Sequence, residues 1–497
     1  MTKKIIFFLI SILLISACSS KTAAPQFTET IAASGSNQPV ETPQTATPKT
    51  VPLMSQTAAV QEDDYVELST TNNVSFLAPE IMGRPTDNSI TFNVIPAVEM
   101  EIYYVYGTEP GQYSMQTSPQ GATPGVPLET LITGLQPDTH YYYRIHYQSQ
   151  VGLEGTFTTQ RAVGSTFSFD IQGDSHPERL NKEFNAELYI QTLQSAALDQ
   201  PDFYLTIGDD FSVDALKSVT PESVYNVYLK QRQWLALVGA PVFLVNGNHE
   251  QASLANLNGT ADNVAVWVQN DRNTLFPQPA PDAFYSGDQT PVEFIGQLRD
   301  YYAFTWGDAL FVVIDPYWHS ANAVDNTFGA GHDEKKNRDL WQVTLGDEQY
   351  QWFKQTLETS TSKYKFVFTH HVLGTGRGGI ENATKYEWGD AAGLTKNRPG
   401  WDQTIQQIMA NNNVTIFFQG HDHIFARQEL DGVIYQSLPE PADPNYELRN
   451  ADSYKSGDLF PNSGHVRVTV SSEGVKVEYV RSWMDKPDEI AFSYTVQ

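Results

Sequence analysis

The chain has 497 residues, which is too many for one compact domain and points to roughly three structural units. Its composition, 40% hydrophobic and 12% aromatic, is that of a folded protein, and beyond the N-terminus no apolar run is long enough to span a bilayer. The formal net charge of -27 argues against a nucleic-acid partner, because such binding neutralises phosphates with Lys and Arg. It also means that any anionic substrate has to be attracted by something local.

At the start, Lys3 and Lys4 precede an apolar stretch, Ile5 to Ile15, that ends in Ser16-Ala17-Cys18. A short positive region, an apolar core and small residues form an export signal rather than a membrane span. Ile15-Ser16-Ala17-Cys18 resembles the lipobox of bacterial lipoproteins, in which the cysteine is lipidated and becomes the new N-terminus. The resemblance implies a signal peptide over residues 1–17, lipidation at Cys18 and a place in the cell envelope, anchored to a membrane outside the cytoplasm. A simple secretory signal cut nearby is the alternative. Cys18 is the only cysteine, and losing the positive charges of Lys3 and Lys4 takes the exported chain from -27 to -29. Residues 18–65 are rich in Thr, Ala, Pro, Ser and Gln with almost no aromatics, a composition that cannot offset its chain entropy. They read as a flexible tether; a coil of about forty residues spans roughly 35 Å.

Residues 66–162 read as all-β. Ile90, Phe92 and Val94 alternate with polar residues, as a half-buried strand requires, and so do Tyr141, Tyr143, Ile145 and Tyr147. The second run follows Leu135-Gln136-Pro137-Asp138-Thr139, and the Leu-x-Pro-x-Thr-x-Tyr pattern resembles the turn and tyrosine corner of fibronectin type III sandwiches. This region shows no chemistry of its own and reads as a spacer or a substrate-rim module.

From 163 to 497, apolar runs alternate with helical stretches. Phe167-Ser168-Phe169-Asp170-Ile171, Phe203-Tyr204-Leu205-Thr206-Ile207, Val242-Phe243-Leu244-Val245, Phe311-Val312-Val313-Ile314, Phe366-Val367-Phe368 and Val414-Thr415-Ile416-Phe417-Phe418 are nearly continuous, as strands buried on both faces are. Thr220-Pro221-Glu222 starts a helix with a cap and a proline in the first turn, and Glu348 to Leu357 and Ile405 to Ala410 read as two more. The class is α/β, with layered sheets and helices outside. Alternation over Val466 to Val470 and Val475 to Val480 predicts a closing antiparallel hairpin.

Five polar clusters follow the apolar runs: Gly173-Asp174-Ser175-His176, Gly208-Asp209-Asp210, Gly247-Asn248-His249-Glu250, Thr369-His370-His371 and Gly420-His421-Asp422-His423. Ligands gather at the carboxyl ends of strands in open α/β sheets, and each glycine is expected to turn the backbone so that the next side chain enters a shared crevice. All five in this order resemble the calcineurin-like metallophosphoesterase superfamily, which includes purple acid phosphatases and many phosphodiesterases; the match runs from about Phe167 to Val480. The resemblance implies an αββα sandwich, here preceded by the fibronectin III-like region, and hydrolysis of small phosphomonoesters or phosphodiesters. By motif it implies Asp174, His176, Asp209 and His423 around one metal ion, and Asp209, Asn248, His370 and His421 around the other, with Asp209 bridging.

Imidazole ligands suit zinc, iron and manganese, so two divalent or trivalent ions of Fe, Mn or Zn are the expected cofactors. Only Asp174 and Asp209 of this set are negative, so two divalent ions would leave about two positive charges, which supplies the local attraction for phosphate. The implied mechanism has a metal-activated water attack phosphorus in line. For His249, directly after Asn248, the resemblance implies that it helps to stabilise the transferring group and protonates the leaving oxygen, with a plain packing histidine as the alternative. His371 and Arg377 are candidate phosphate contacts, the arginine through a two-pronged bond, with a solvated loop arginine as the alternative. Glu250 either orients His249 or starts a helix; Asp210 caps or orients its turn; His319 reads as structural.

Gly374-Thr375-Gly376-Arg377-Gly378-Gly379 has the spacing of a dinucleotide-binding loop, yet it does not run from a strand directly into a helix and reads instead as a rim of the active site. Purple acid phosphatases carry a metal-binding tyrosine where Ser212 stands here, and lack the histidine that His176 provides, so a colourless or weakly coloured protein is expected. A reading of another class remains: a cell-surface binding protein with a purely structural metal site and no turnover.

Overall fold

The computed structural model describes residues 75–322, 324, 339–373 and 376–497. The expected signal peptide, Cys18 and the tether over 18–65 lie outside the described residues. No helix among the described residues is long and apolar enough to cross a membrane.

The N-terminal region is a β-sandwich. Phe76–Gly83, Ser89–Pro96 and Leu128–Thr133 form one sheet; Met100–Gly107, His140–Tyr147 and Gly155–Thr158 form most of the other. The expected tyrosine corner is present, with the Gln136 amide donating to Tyr141 Oη at 2.9 Å. One expectation fails. In Ser89–Pro96 the polar positions Thr91 and Asn93 are buried along with Ile90, Phe92 and Val94. The second face is covered by the rest of the molecule: Asn93 Nδ2 donates to the Thr274 carbonyl at 3.0 Å, and Ala78, Ile81 and Ile95 share a core with helical residues of the following region. The sandwich is therefore docked, not a free spacer.

From Phe167 onward two sheets stack face to face. The six-stranded sheet runs Val242–Leu244, Phe203–Thr206, Phe167–Gln172, Gly464–Ser471, Gly474–Arg481, Glu489–Val496; the first three strands are parallel and the last three add antiparallel. The eight-stranded sheet has a parallel centre of Ala309–Val313, Tyr364–Phe368, Ile416–Gln419 and Val433–Ser437. Between the sheets lies an aromatic core that includes Phe169, Phe203, Phe311, Phe366 and Phe418, each side chain worth about 2 kcal/mol on burial.

Outside the first sheet pack α1 (Ala186–Asp199), α2 (Pro221–Leu235) and α3 (Val264–Leu275). Outside the second pack α4 (Gly346–Thr359), α5 (Tyr386–Gly389), α6 (Ala391–Asn397) and α7 (Ile405–Asn411). This is the expected αββα layering. Helix α2 starts where Thr220-Pro221 predicts, with Thr220 Oγ1 accepting from the Ser223 amide and Ser223 returning a bond to the Thr220 amide. The expected hairpin forms, but it does not close the sheet: Glu489–Val496 adds a further edge strand.

Candidate metal centre

The parallel strands of both sheets end on one side, and the five clusters are the turns that leave them. Asp174 follows Phe167–Gln172, Asp209 follows Phe203–Thr206, Asn248 and His249 follow Val242–Leu244, His370 follows Tyr364–Phe368, and His421 and His423 follow Ile416–Gln419. The turns are tight. His176, Asp209, His421 and His423 all adopt positive φ, a costly backbone region for residues with a Cβ. The glycines act differently from expectation. Gly208 does have φ +100°, but at Gly173, Gly247 and Gly420 the requirement is close approach: a Cβ on Gly420 would collide with Asp174 Oδ1, and one on Gly247 with Asp209 Oδ1.

The side chains converge in two overlapping groups. In the first, Asp174 Oδ2 lies 3.1 Å from His423 Nε2 and 3.8 Å from His176 Nε2. In the second, Asp209 Oδ2 lies 3.0 Å from His370 Nε2, and Asn248 Oδ1 is 3.1 Å from both His370 Nε2 and His421 Nδ1. Asp209 Oδ2 is also 3.8 Å from His176 Nε2, which places it between the groups. Within Asp174–His176–His423 and within Asp209–His370–His421, potential ligand atoms all lie within 4.8 Å of one another.

Charge is arranged to suit cations. Burial opposes ionisation of Asp174 and Asp209, yet the His370 imidazole, with His423 beside Asp174 and His249 beside Asp209, holds both below the usual carboxylate range. Burial likewise opposes charge on His370 and His423, but Asp209 and Asp174 raise the first, and Glu440 and Asp174 the second, each to about 10. Sites that attract protons this strongly attract metal cations too. His176 and His421 are pushed well below the usual imidazole range, first by burial and then by Arg179 and His371 respectively, which leaves them neutral, the ligand form. His176 Nε2 is buried without a hydrogen-bond partner and faces both carboxylates. Two carboxylates, a carboxamide and four imidazoles fit a pair of transition-metal ions.

His249 sits at the edge, its side chain 26% exposed, with Nδ1 2.8 Å from Asp214 Oδ2 and Nε2 3.9 Å from Asp209 Oδ2. Burial lowers its proton affinity, but Asp209 and Asp214 raise it to about 9. Asp214 was not foreseen, and Glu250 has neither expected role. It accepts from the amides of Asp210, Phe211 and Gly247, tying two ligand-bearing turns together. Asp210 accepts from Ser175 Oγ at 2.6 Å and Gln172 Nε2 at 2.7 Å, an orienting role as expected. Ser212 Oγ stands 3.4 Å from His176 Nδ1.

His371 is buried, stacked on Tyr317 and 4.6 Å ring to ring from His421. Arg377 is 37% exposed, with Nη1 3.7 Å from Asp422 Oδ1. Its loop is pinned, with the Gly378 amide donating to Asp422 Oδ2 at 2.7 Å and Asn382 Nδ2 to the carbonyls of residues 376 to 378. The short α5 beyond it does not make a dinucleotide fold. His319 pairs with buried Asp300 at 3.0 Å, a structural contact. Asp170, Asp199 and His465 form a further group of ligating types, but Arg467 and His465 already pair with Asp199.

The sequence matches the calcineurin-like phosphoesterase family model over residues 167–425. A search of curated proteins finds no match. Among solved structures, the fold is similar to that of PhoD, at a TM-score of 0.61 and 15% identity over 86% of this chain and 92% of that one. It is also similar to purple acid phosphatase PPD1 from yellow lupin (Lupinus luteus) seeds, at 0.56 and 16% identity over 84% and 73%.

Proposed function

The chain belongs to the calcineurin-like phosphoesterase family and is a metal-dependent phosphoesterase, and on that premise we propose a dinuclear centre in which Asp174, His176, Asp209 and His423 hold one cation and Asp209, Asn248, His370 and His421 the other. Iron, manganese or zinc would fit this donor set. When bound, the cations supply Lewis acidity toward the phosphoryl oxygens and an activated water as nucleophile.

The chain's own residues do the rest. Asp209 and Asp174 fix the charge of the pocket. His249, with Nδ1 anchored on Asp214, presents Nε2 toward the crevice and holds a proton there for the departing alkoxide. His371 and Arg377 take the remaining phosphate oxygens, and the clamp on residues 376 to 378 keeps the guanidinium at the rim. Phosphomonoesters or phosphodiesters of small molecules are the substrate class. The lipobox-like run ending in Cys18 supports an enzyme anchored outside the cytoplasm, and residues 66–162 and 163–497 are taken as its two folded domains.

The observation that carries this reading is the convergence of side chains from five separate strand ends around two buried carboxylates. Protein loaded with manganese or zinc should hydrolyse aryl phosphate or bis-aryl phosphate, the ratio reporting mono- against diesterase activity, and Asp209→Ala should abolish it. Folded, metal-loaded protein inactive on both would favour a binding protein. For the anchor, full-length protein expressed in bacteria should enter the detergent phase and Cys18→Ala should not; equal partition would contradict lipidation.

A further inference from the structure

We infer that the chain holds a further metal ion, apart from the pair at the strand ends, bound by Asp170, Asp199 and His465. The donors suit a divalent transition-metal cation such as zinc, and its role is to fasten α1 to the first sheet.

The three side chains come from three elements. Asp170 lies within the strand Phe167–Gln172, whose Phe169 and Ile171 enter the inter-sheet core, so by alternation Asp170 faces the helices. Asp199 is the last residue of α1, and His465 belongs to the neighbouring strand Gly464–Ser471. His465 Nε2 is 2.9 Å from Asp199 Oδ2 and 3.7 Å from Asp170 Oδ2, and the potential ligand atoms all lie within 4.8 Å of one another. These spacings are close to the 3.1 and 3.8 Å that separate Asp174 from His423 and His176. Tetrahedral zinc sets its ligand atoms about 3.4 Å apart. Asp170 precedes Asp174 by four residues, about 13 Å of extended chain, which is too far for the two sites to share a ligand.

What points to a cation is an unanswered carboxylate. Asp170 and His465 are fully buried, and neither Asp170 oxygen has a hydrogen-bond partner among the described residues. Such a group is costly unless something positive meets it. Arg467 and His465 bond Asp199 instead, and the Arg467 guanidinium is shared with Glu478 Oε2 at 3.1 Å. Burial, and then the Asp199 carboxylate, pushes the Asp170 acid well above the usual carboxylate range, so the pair calls for a proton or a metal. A proton on Asp170 satisfies one oxygen and leaves the other without a partner. A cation draws on all three side chains, with two carboxylates to match its double charge. Leu198, Asp199, Arg467, Val480 and Ile490 line an open groove of about 430 Å³, which gives the ion a path in and a water as fourth ligand.

The test counts ions rather than turnover. Full-chain protein is saturated with Zn²⁺, gel-filtered to strip surface ions, and measured by elemental analysis and native mass spectrometry. Asp170→Asn keeps the shape of the side chain and should bind one ion fewer per chain than the parent, and His465→Gln should do the same. Zinc should also raise the Tm of the parent by more than that of Asp170→Asn. If both variants misfold, anomalous diffraction at the zinc edge from parent crystals decides without them, and a peak between Asp170, Asp199 and His465 is expected. No peak there, or an ion count unchanged in a folded variant, would overturn the inference while leaving the dinuclear reading intact. A chain that carries zinc between Asp170, Asp199 and His465 but not at the strand ends keeps this inference and removes the other.

Discussion

Two of the places where this molecule buries charge do so to opposite ends. At the seam between the N-terminal sandwich and the helices, Arg232 is fully buried, and its guanidinium donates to the carbonyls of Pro79, Asn93 and Leu275 and to Asn93 Oδ1. Every acceptor is neutral, and the contact joins three segments of chain. At the strand ends, Asp174 and Asp209 are buried as deeply, but their neighbours are imidazoles whose nitrogens crowd the same oxygens. Charge surrounded by fixed dipoles makes a rivet. Charge surrounded by potential ligands makes a cation site. The second arrangement costs stability that the first helps to offset.

Mutations should separate the two. Asp209→Ala removes the group shared by both halves and should lower kcat/KM by more than about 10³-fold, some 4 kcal/mol of barrier, in a protein that still folds. His249→Ala should keep both metals and lose about 10²–10⁴ in kcat, most severely for poor leaving groups, since an aryl oxide needs little protonation. Arg232→Met should behave the other way: unfolding free energy falls by about 3 kcal/mol as buried carbonyls lose their donor, while kcat at 25 °C is unchanged. A comparable fall in kcat would mean the seam and the crevice are not independent. The smallest change is Asp214→Asn, which should cost about tenfold in kcat with KM and metal content kept, because it frees the His249 ring without removing it. Loss of metal in that variant would instead make Asp214 a structural support of the centre.

Much of this centre was legible in the chain because ligating residues sit two to four places beyond apolar strand ends, where direction is set by the sheet. Partners that arrive from elsewhere were not. Asp214 reaches His249 from a short 3-10 turn over Val213–Ala215, where an aspartate reads as ordinary loop. Glu440 follows Val433–Ser437 by three residues, but Leu438-Pro439-Glu440 carries no metal-ligand signature. Glu250 looked like a companion of His249 because adjacency in sequence was the available cue; its side chain turns away to collect amides. The docking of the sandwich was hidden as well. Thr91 and Asn93 look solvent-facing by type, yet both are buried, and Asn93 is bonded by Arg232 and to Thr274 of α3, more than a hundred residues away. The last strand, Glu489–Val496, is an edge strand in which Phe492, Tyr494 and Val496 alternate with exposed Ser493 and Thr495 and pack against the inter-sheet core.

The account stands or falls on two cations sharing Asp209. Crystals of manganese- or zinc-loaded protein, measured at the metal absorption edge, report this directly. Two anomalous peaks about 3.5–4 Å apart are expected, one beside Asp174, His176 and His423, one beside Asn248, His370 and His421, with Asp209 touching both. A single peak, or metal found only outside this crevice, would contradict it.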